Sequence, residues 1–354
     1  MQQTTPKDEQ STSTPRDRSS MQAIEIVRPG DPEVLQRTER PIPVPQPDEV
    51  LIEIAAAGIN GPDVMQRKGL YNPPAGVTDI PGLEVAGRIV ALGSEVGQLS
   101  TYQVGDMVCA LIAGGGYAEY AVAPVRNVMP VPTGLSLIEA AIVPESFMTV
   151  WAHLFMRAGF SAGKSILIHG GTSGIGTTAT MLCRAMGATQ IFTTVGSSEQ
   201  QQASRDLGAD VAINYRTEDF VAQVKQHTEE QGVDFVMDII GGDYVPRNYQ
   251  AAAMNGTIVQ IGVAQGKVKE LDLFPILAKR LTHLGATLRS QTVEEKSEIF
   301  RQLQERVWPL FAAEQIRPQL FKTYPLPDAH LAHEQLAQGG HVGKLVLINE
   351  NFKN

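Results

Sequence analysis

"LIHGGTSGIG", residues 167–176, joins an apolar run to a helix-forming run through a glycine-rich turn. Gly171, Gly174 and Gly176 follow a Gly-x-x-Gly-x-Gly spacing. Glycine is needed where a backbone turns sharply and comes close to a phosphate. The free N–H groups and the dipole of the following helix then attract a pyrophosphate. The motif therefore predicts a nucleotide-binding turn, and an ordinary glycine-rich turn is the alternative that its surroundings must exclude.

The surroundings of this turn repeat its strand-and-helix pattern. Helical runs separate six short apolar runs, which are "SILIHGG", "QIFTTVG", "DVAINY", "VDFVMDIIGG", "TIVQIGVAQG" and "LTHLGATL". Parallel strands need helical crossovers of this kind. Residues 146–287 are therefore predicted to form an α/β doubly wound Rossmann domain that binds a dinucleotide.

The rest of the chain has a different pattern. Residues 21–145 contain short β-rich runs separated by Gly, Pro and Asp, which indicates an irregular β domain. Residues 288–354 return to helix, loop and strand, so both flanking segments are expected to build one substrate domain. Residues 1–20 are polar and rich in Ser, Thr, Gln and Pro, and we expect them to be disordered.

Composition excludes several function classes. The 354 residues carry a net charge of −9, which disfavours nucleic acid as a partner. No apolar run reaches the ~20 residues of a membrane span, and the polar start lacks a signal-peptide core. We therefore expect a cytoplasmic protein. Cys109 and Cys183, the two cysteines, are flanked by apolar residues and are expected to be inert core thiols.

The end of the second nucleotide strand, "TTVGSS", bears on cofactor choice. NAD-preferring domains usually carry an acid here to bind the ribose 2′-hydroxyl. This chain has no acid before Glu199, whereas Gly196 leaves space and Ser197 offers a hydroxyl. Tyr215 and Arg216, at the end of the third strand, are expected to flank the same pocket. The pattern favours NADPH, with NADH as the alternative.

Further motifs occur in the order and spacing of one family. They are "GINGPDVMQRKGLY", "PGLEVAGRIVALG", "VGDMVCAL", "GGGYAEY", "IVPESFMTVWAHL", "LGADVAINY" and "GKLVL". Over about residues 21–350 the chain resembles the zinc-free quinone oxidoreductase branch, the zeta-crystallin-like proteins, of the medium-chain dehydrogenase/reductase superfamily. The resemblance implies a GroES-like catalytic domain from residues 21–145 and 288–354, a Rossmann domain at 146–287, and a homodimer formed through "LTHLGATL".

The resemblance also implies a site without zinc. Zinc enzymes of the superfamily place a catalytic Cys where Asn60 stands and a His where Leu83 stands. Asn60 is then expected to point its amide at the nicotinamide or at a substrate carbonyl, although a turn residue bonding its own backbone is the alternative. Tyr71 corresponds to a tyrosine of the acceptor site, and Thr149 to a threonine near the nicotinamide. Their structural alternatives are a buried Tyr and a helix-interior Thr.

The family pattern completes the cofactor site and the function. Besides the residues above, it assigns cofactor binding to Ser173, Ile175, Ile261, Gly262 and Lys344. Without a Lewis acid, hydride transfer needs an electron-poor acceptor, so the predicted function is NADPH-dependent reduction of quinones. The alternatives are an enone or enoyl reductase on the same fold and a non-catalytic NADPH-binding protein.

Four polar residues are interpreted structurally. His330 and His333 lie three residues apart on a predicted helix, and a solvated face is favoured over a metal site. Glu145 follows a proline at a helix start and is expected to face the helix dipole. His169 ends the first nucleotide strand and is expected to bond local backbone.

Overall fold

The computed structural model describes residues 19–353 of the chain. The expected disordered segment, residues 1–20, lies almost wholly outside the described residues, and the first strand already includes Ser20. The β-rich first part contains β1 (Ser20–Ile26), β2 (Leu35–Pro41), β3 (Glu49–Gly58), α1 (Gly61–Arg67), β4 (Glu84–Leu92), α2 (Val96–Leu99), β5 (Met107–Leu111), β6 (Tyr120–Pro124), β7 (Val128–Pro130), α3 (Leu137–Ala140) and α4 (Pro144–Val150).

The glycine-rich turn lies in a six-stranded sheet. Its elements are β8 (Ser165–His169), α5 (Gly174–Ala185), β9 (Gln190–Val195), α6 (Ser198–Asp206), β10 (Val211–Asn214), α7 (Phe220–His227), β11 (Val233–Asp238), α8 (Tyr244–Ala251), β12 (Ala252–Gln260), α9 (Phe274–Lys279) and β13 (Thr282–Gly285). The strands are all parallel in the order β10-β9-β8-β11-β12-β13. The order reverses between β8 and β11, where doubly wound sheets bind ligands.

One helix start in this sheet differs from the sequence interpretation. The stretch "TEDFVAQVKQHTEEQG", residues 217–232, predicts a helix with Thr217 as its N-cap, but α7 begins after Asp219, whose carboxylate accepts from Ala222 N at 2.9 Å. Thr217 instead belongs to a turn in which its N–H donates to Asn214 O at 3.0 Å. Both residue types cap helices, so the tertiary turn after β10 decides between them.

The last part of the chain returns to the first sheet. It contains α10 (Val293–Arg306), α11 (Trp308–Ala312), β14 (Leu320–Pro325), α12 (Ala329–Gln338) and β15 (Lys344–Ile348). The stretch "VEEKSEIFRQLQERVWPLFAAEQI", residues 293–316, predicts a single helix, but the structure has a break before Pro309 and two helices form. Strands β14 and β15 complete a seven-stranded sheet in the order β14-β15-β3-β4-β5-β7, in which β6 also pairs with β3. Val346 of β15 pairs with Gly58 of β3. This pairing brings the start of β15 beside the "GINGPD" loop.

An apolar core joins the two sheets. Helix α4 contributes Phe147, which packs edge-on against Phe311 of α11 with ring centroids 5.2 Å apart. Both cysteines, Cys109 and Cys183, belong to this core and are fully buried, as expected, and burial raises the pKa of each thiol. Fully burying a side chain such as Phe147 stabilises the fold by about 1.5–3 kcal/mol. None of the helices between residues 19 and 353 is long and apolar enough to cross a membrane.

Candidate active site

The glycine-rich turn leaves no room for side chains. A Cβ added at Gly176 would lie 2.1 Å from Gly170 O, and one at Gly171 would lie 2.6 Å from Thr193 Cβ. Ser173 caps α5, its Oγ accepting from Gly176 N at 3.0 Å. The turn is therefore packed against its own strands, and its free face lies at the N-terminus of a twelve-residue helix. These residues fit the pyrophosphate of a dinucleotide.

The Gln200 side chain holds the loop after β9 in place. Gln200 Oε1 accepts from Gly196 N at 3.0 Å, while Nε2 donates to Thr172 Oγ1 at 2.9 Å and to His341 O at 3.3 Å. Ser197 caps α6 by accepting from Gln200 N at 3.2 Å. The side chain thus ties the loop after β9 to the glycine-rich turn and to the segment before β15.

Two residues flank the space beside Gly196. A Cβ on Gly196 would lie 3.0 Å from the hydroxyl oxygen of Tyr215. Arg216 is exposed, with its guanidinium carbon 6.0 Å from the centre of the Tyr215 ring. Within residues 19–353 no carboxylate lies within ion-pair distance of Arg216. Ser197 hydrogen-bonds Glu199 and lowers the pKa of that exposed carboxyl.

The nicotinamide end of the predicted site is formed by strand ends and α4. Ile261 and Gly262 follow β12, and their N–H groups donate to Asp238 O at 2.7 and 3.3 Å. Thr149 on α4 is buried, and its Oγ1 has no hydrogen-bond partner among the described residues. A buried hydroxyl without a partner is costly unless a ligand supplies one. This hydroxyl fits the polar carboxamide of a nicotinamide.

Asn60 of the "GINGPD" loop belongs to a buried polar cluster with Glu84 and Lys344. Asn60 is the N-cap of α1, and its N–H donates to Asp63 Oδ2 at 2.8 Å. Its Nδ2 donates to Glu84 Oε1 at 3.0 Å, and the Lys344 ammonium donates to both Asn60 Oδ1 and Glu84 Oε1. Both ends of the Asn60 amide are thus engaged by side chains, an arrangement that the sequence analysis does not anticipate.

Lys344 also reaches the nucleotide turn. A Cβ on Gly174 would lie 2.7 Å from Lys344 Cγ, so the lysine stem covers the start of α5. The ammonium and the Glu84 carboxylate are 6% and 0% exposed. Lys344, a predicted cofactor-binding residue, lies between the glycine-rich turn and the Asn60–Glu84 pair.

Two acids beside this cluster have shifted pKa values. Burial raises the pKa of Asp63 to about 6, although Asn60 N–H and Lys344 oppose the shift. Burial and the charge of Glu84 raise the pKa of Glu145 to about 7. Glu145 N–H donates to Glu84 Oε2 at 2.8 Å, so the residue is held by a carboxylate as well as by its helix. Shifts of this kind cluster at functional sites.

An arginine that the sequence analysis misses lies on Tyr71. The Arg289 guanidinium carbon is 4.5 Å from the centre of the Tyr71 ring, a cation–π distance. Its Nη2 donates to Ala113 O at 3.1 Å, while Nε and Nη1 are buried without a partner in the described part of the chain. The only sequence signal is an arginine just after the last nucleotide strand. The pair offers an aromatic face and unused N–H donors to a ligand.

The prediction that His333 lies on a solvated face of α12 is wrong. That side chain is fully buried, with Nε2 2.8 Å from the Tyr117 hydroxyl and Nδ1 3.3 Å from Arg67 Nη1. The Tyr117 hydroxyl donates to Asp63 Oδ2 at 3.2 Å. Burial and Arg67 lower the pKa of His333 to about 3, so the ring is neutral at neutral pH. The network supports the loop that carries Asn60.

The interpretation of His169 is also wrong in its partners. Its ring nitrogens contact side chains rather than backbone: Nδ1 lies 3.0 Å from Thr194 Oγ1 and Nε2 lies 2.7 Å from Asn248 Oδ1. Asn248 Nδ2 in turn donates to Asp238 Oδ2 at 2.9 Å. This buried network braces the carboxyl ends of β8 and β11. Across residues 19–353, no group of three or more His, Cys, Asp or Glu side chains is placed to hold a metal ion.

Two family models match this chain. Residues 46–133 match the alcohol dehydrogenase GroES-like domain, and residues 174–305 match the zinc-binding dehydrogenase family. Quinone oxidoreductase of Mus musculus is 30% identical over 93% of this chain and 98% of its own length. The chain belongs to the medium-chain dehydrogenase/reductase superfamily. This identity confirms the predicted family, and the GroES-like and Rossmann folds are confirmed with it.

Solved members of the superfamily align over nearly their whole length. Escherichia coli quinone oxidoreductase, solved with NADPH, has a TM-score of 0.82 and 30% identity over 92% of this chain and 99% of its own. A mycobacterial protein complexed with NADPH has a TM-score of 0.83 and 31% identity, over 93% and 99%. This medium-chain dehydrogenase/reductase is therefore an oxidoreductase enzyme.

Proposed function

We propose that this enzyme transfers hydride from NADPH to quinones or similar electron-poor acceptors without a zinc ion. The observation that carries the proposal is the Arg289–Tyr71 pair, because its aromatic face suits a flat ring and its unpartnered N–H groups suit a carbonyl oxygen. The names of the quinone oxidoreductase relatives support the acceptor class, and their NADPH complexes support the cofactor.

The residues of the site divide between cofactor and acceptor. NADPH, when bound, supplies the hydride. The glycine-rich turn and Ser173, Ile175, Ile261 and Gly262 are proposed to hold it, and the Thr149 hydroxyl to orient its carboxamide. Zinc enzymes of the superfamily have a metal ligand at the position of Asn60. In this chain the cation beside that position is the Lys344 ammonium. A quinone is already electron-poor, so it needs less activation than an ordinary ketone.

Two other functions make different demands on the site. An enone or enoyl reductase must also protonate a carbon atom, and the hydroxyl of Tyr71 is the candidate donor for this step. A non-catalytic NADPH-binding protein needs no acceptor site. The unpartnered donors of Arg289, which are costly to keep buried, favour a catalytic acceptor site.

Acceptor assays with metal analysis test this proposal. We expect the purified enzyme to oxidise NADPH with small quinones faster than with enones, to contain no stoichiometric zinc, and to keep its rate with chelators. Steady-state absorbance at the NADPH band and elemental analysis measure these quantities. Faster turnover of enones supports the reductase alternative, and absence of turnover supports the non-catalytic one. One tightly bound zinc per chain contradicts the zinc-free site.

Arg216→Ala tests the assignment of the 2′-phosphate pocket. A charged hydrogen bond to phosphate contributes about 1.5–3 kcal/mol, so we expect the KM for NADPH to rise about tenfold or more. NADH lacks the phosphate, so its KM should change little. Arg205→Ala, which removes an exposed arginine of α6, is the charge-matched control. Equal effects on both cofactors, or better use of NADH by the wild type, contradict this pocket.

We also propose a homodimer formed through β13. This strand ends the sheet order and pairs only with β12, so its other backbone edge is open in the described chain. Leu273, Phe274 and Leu277 are 59%, 69% and 77% exposed on and beside α9. An open edge beside exposed apolar side chains favours association with a second copy.

A further inference from the structure

Quinone reduction by hydride requires a proton as well as a hydride. Transfer of a hydride leaves an anionic oxygen on the acceptor, and a positioned acid accelerates its protonation. Arg289 cannot serve, because arginine keeps its proton in proteins. Lys344 is committed to Glu84, and release of its proton would leave that buried carboxylate unpaired. Tyr71 lies beneath the Arg289 guanidinium.

Glu145 has the geometry of a proton donor to this site. It lies four residues before Thr149 on α4, so the two side chains share one face of the helix. Its backbone N–H is fixed to Glu84 Oε2 at 2.8 Å. Its carboxyl group makes no hydrogen bond to residues 19–353, and the residue is half-buried, which leaves the carboxyl able to contact a ligand or water.

Burial and the neighbouring charges bring the pKa of the Glu145 carboxyl close to neutral pH. Glu84 and Asp63 are negative neighbours, and Lys344 and Lys296 are positive ones; burial is the largest influence. Together they raise the pKa of Glu145 to about 7. A general acid works best with a pKa near the operating pH. Lys296 interacts electrostatically with Glu145, and its Nζ donates to the backbone oxygen of Arg289 at 3.4 Å. Glu145 therefore shares a charged neighbour with the Arg289–Tyr71 pair.

We propose that Glu145 is the general acid of this oxidoreductase and that Glu84, held by Lys344 and Asn60, positions it. The inference rests on the proposed function. The acceptor gains the hydride and becomes an anion, the O–H bond of the Glu145 carboxyl breaks, and a new O–H bond forms on the acceptor oxygen. Water then returns a proton to the carboxylate, so charge and atoms balance without another reactant.

Infrared spectroscopy of the ligand-free protein tests the proton itself. We expect the wild type to show a protonated-carboxyl band below neutral pH that is lost as the pH rises through about 7. Glu145→Gln should remove that band, whereas Glu294→Gln, the same charge change at an exposed site, should keep it. The Asp63 carboxyl, with a pKa of about 6, should titrate in all three proteins. A band unchanged in Glu145→Gln overturns the assignment.

Kinetics test the use of that proton. General acids contribute about 100-fold or more to rate, so Glu145→Gln should lower kcat with a quinone by that factor while the KM for NADPH changes little. The wild-type rate should fall as pH rises through about 7, and the variant should lose this dependence. Glu145→Asp should restore part of the rate.

Failure of the general-acid assignment can be distinguished from failure of the proposed function. If the wild type reduces quinones and Glu145→Gln matches it in rate and pH profile, the general-acid assignment is overturned while the proposed function stands. If the wild type reduces no acceptor, the proposed function is overturned and the assignment with it.

Discussion

Lys344→Met is expected to lower the free energy of unfolding by about 3–5 kcal/mol, because it leaves a buried carboxylate without its cation. Glu84 is 0% exposed, and the remaining donors to it are the Asn60 amide and Glu145 N–H. Two neutral donors stabilise an anion less than an ammonium does. Urea unfolding at neutral pH, followed by tryptophan fluorescence, measures the change.

Two control variants separate the buried charge from lost packing. The double variant Lys344→Met/Glu84→Gln should recover most of the lost stability, because neither charge then remains. Lys269→Met removes one partner of an exposed pair with Asp243 and should have little effect. A double variant no more stable than Lys344→Met would show that lysine packing on Gly174, rather than the ion pair, stabilises this region.

Gly176→Ala is expected to reduce NADPH affinity by about 100-fold, since it displaces the turn that we propose receives the pyrophosphate. The new methyl would lie 2.1 Å from Gly170 O and 2.8 Å from Gly171 Cα, and backbone atoms cannot move aside independently. Overpacking of this kind also costs about 1–3 kcal/mol of stability. Fluorescence titration with NADPH measures the affinity.

Alanine substitutions at two other glycines serve as controls for the loss of NADPH affinity. Gly174→Ala meets the stem of Lys344 and, at 3.4 Å, the Ser146 hydroxyl, and both are side-chain groups rather than backbone, so its loss of NADPH affinity should be smaller. Gly97→Ala meets nothing within 4 Å and should bind NADPH as the wild type does. If Gly176→Ala binds NADPH within threefold of Gly97→Ala, the glycine-rich turn does not hold the cofactor.

The nucleotide sheet could be predicted because its strands are buried on both faces. Strand β8, for example, has three consecutive apolar residues at its centre, Ile166, Leu167 and Ile168, and all three are fully buried. Such runs, separated by helical patterns, leave few topologies. No similar pattern marks β2 or β14, which carry Arg, Lys, Glu and Thr on exposed faces and are held mainly by backbone pairing at sheet edges.

The site could be predicted only where one motif contains the residues. Asn60, Tyr71 and Thr149 are found from their motifs, and their proposed roles stay predictions. The partners of Asn60 could not be found in this way, because Lys344 lies 284 positions away and meets it only when β15 pairs with β3. His333 fails for the same reason: its i, i+3 spacing suggests a surface, and its partner Tyr117 lies 216 positions away.

The pairing of β15 with β3 has a consequence for biosynthesis. The ribosome completes Asn60 on the order of half a minute before Lys344 at ordinary elongation rates, and the contiguous nucleotide sheet can fold in that interval. Until β15 emerges, Glu84 has no cation and the Ala56–Gly58 end of β3 has no partner on that side. A nascent chain in this state exposes a strand edge, which favours aggregation until β15 pairs with β3.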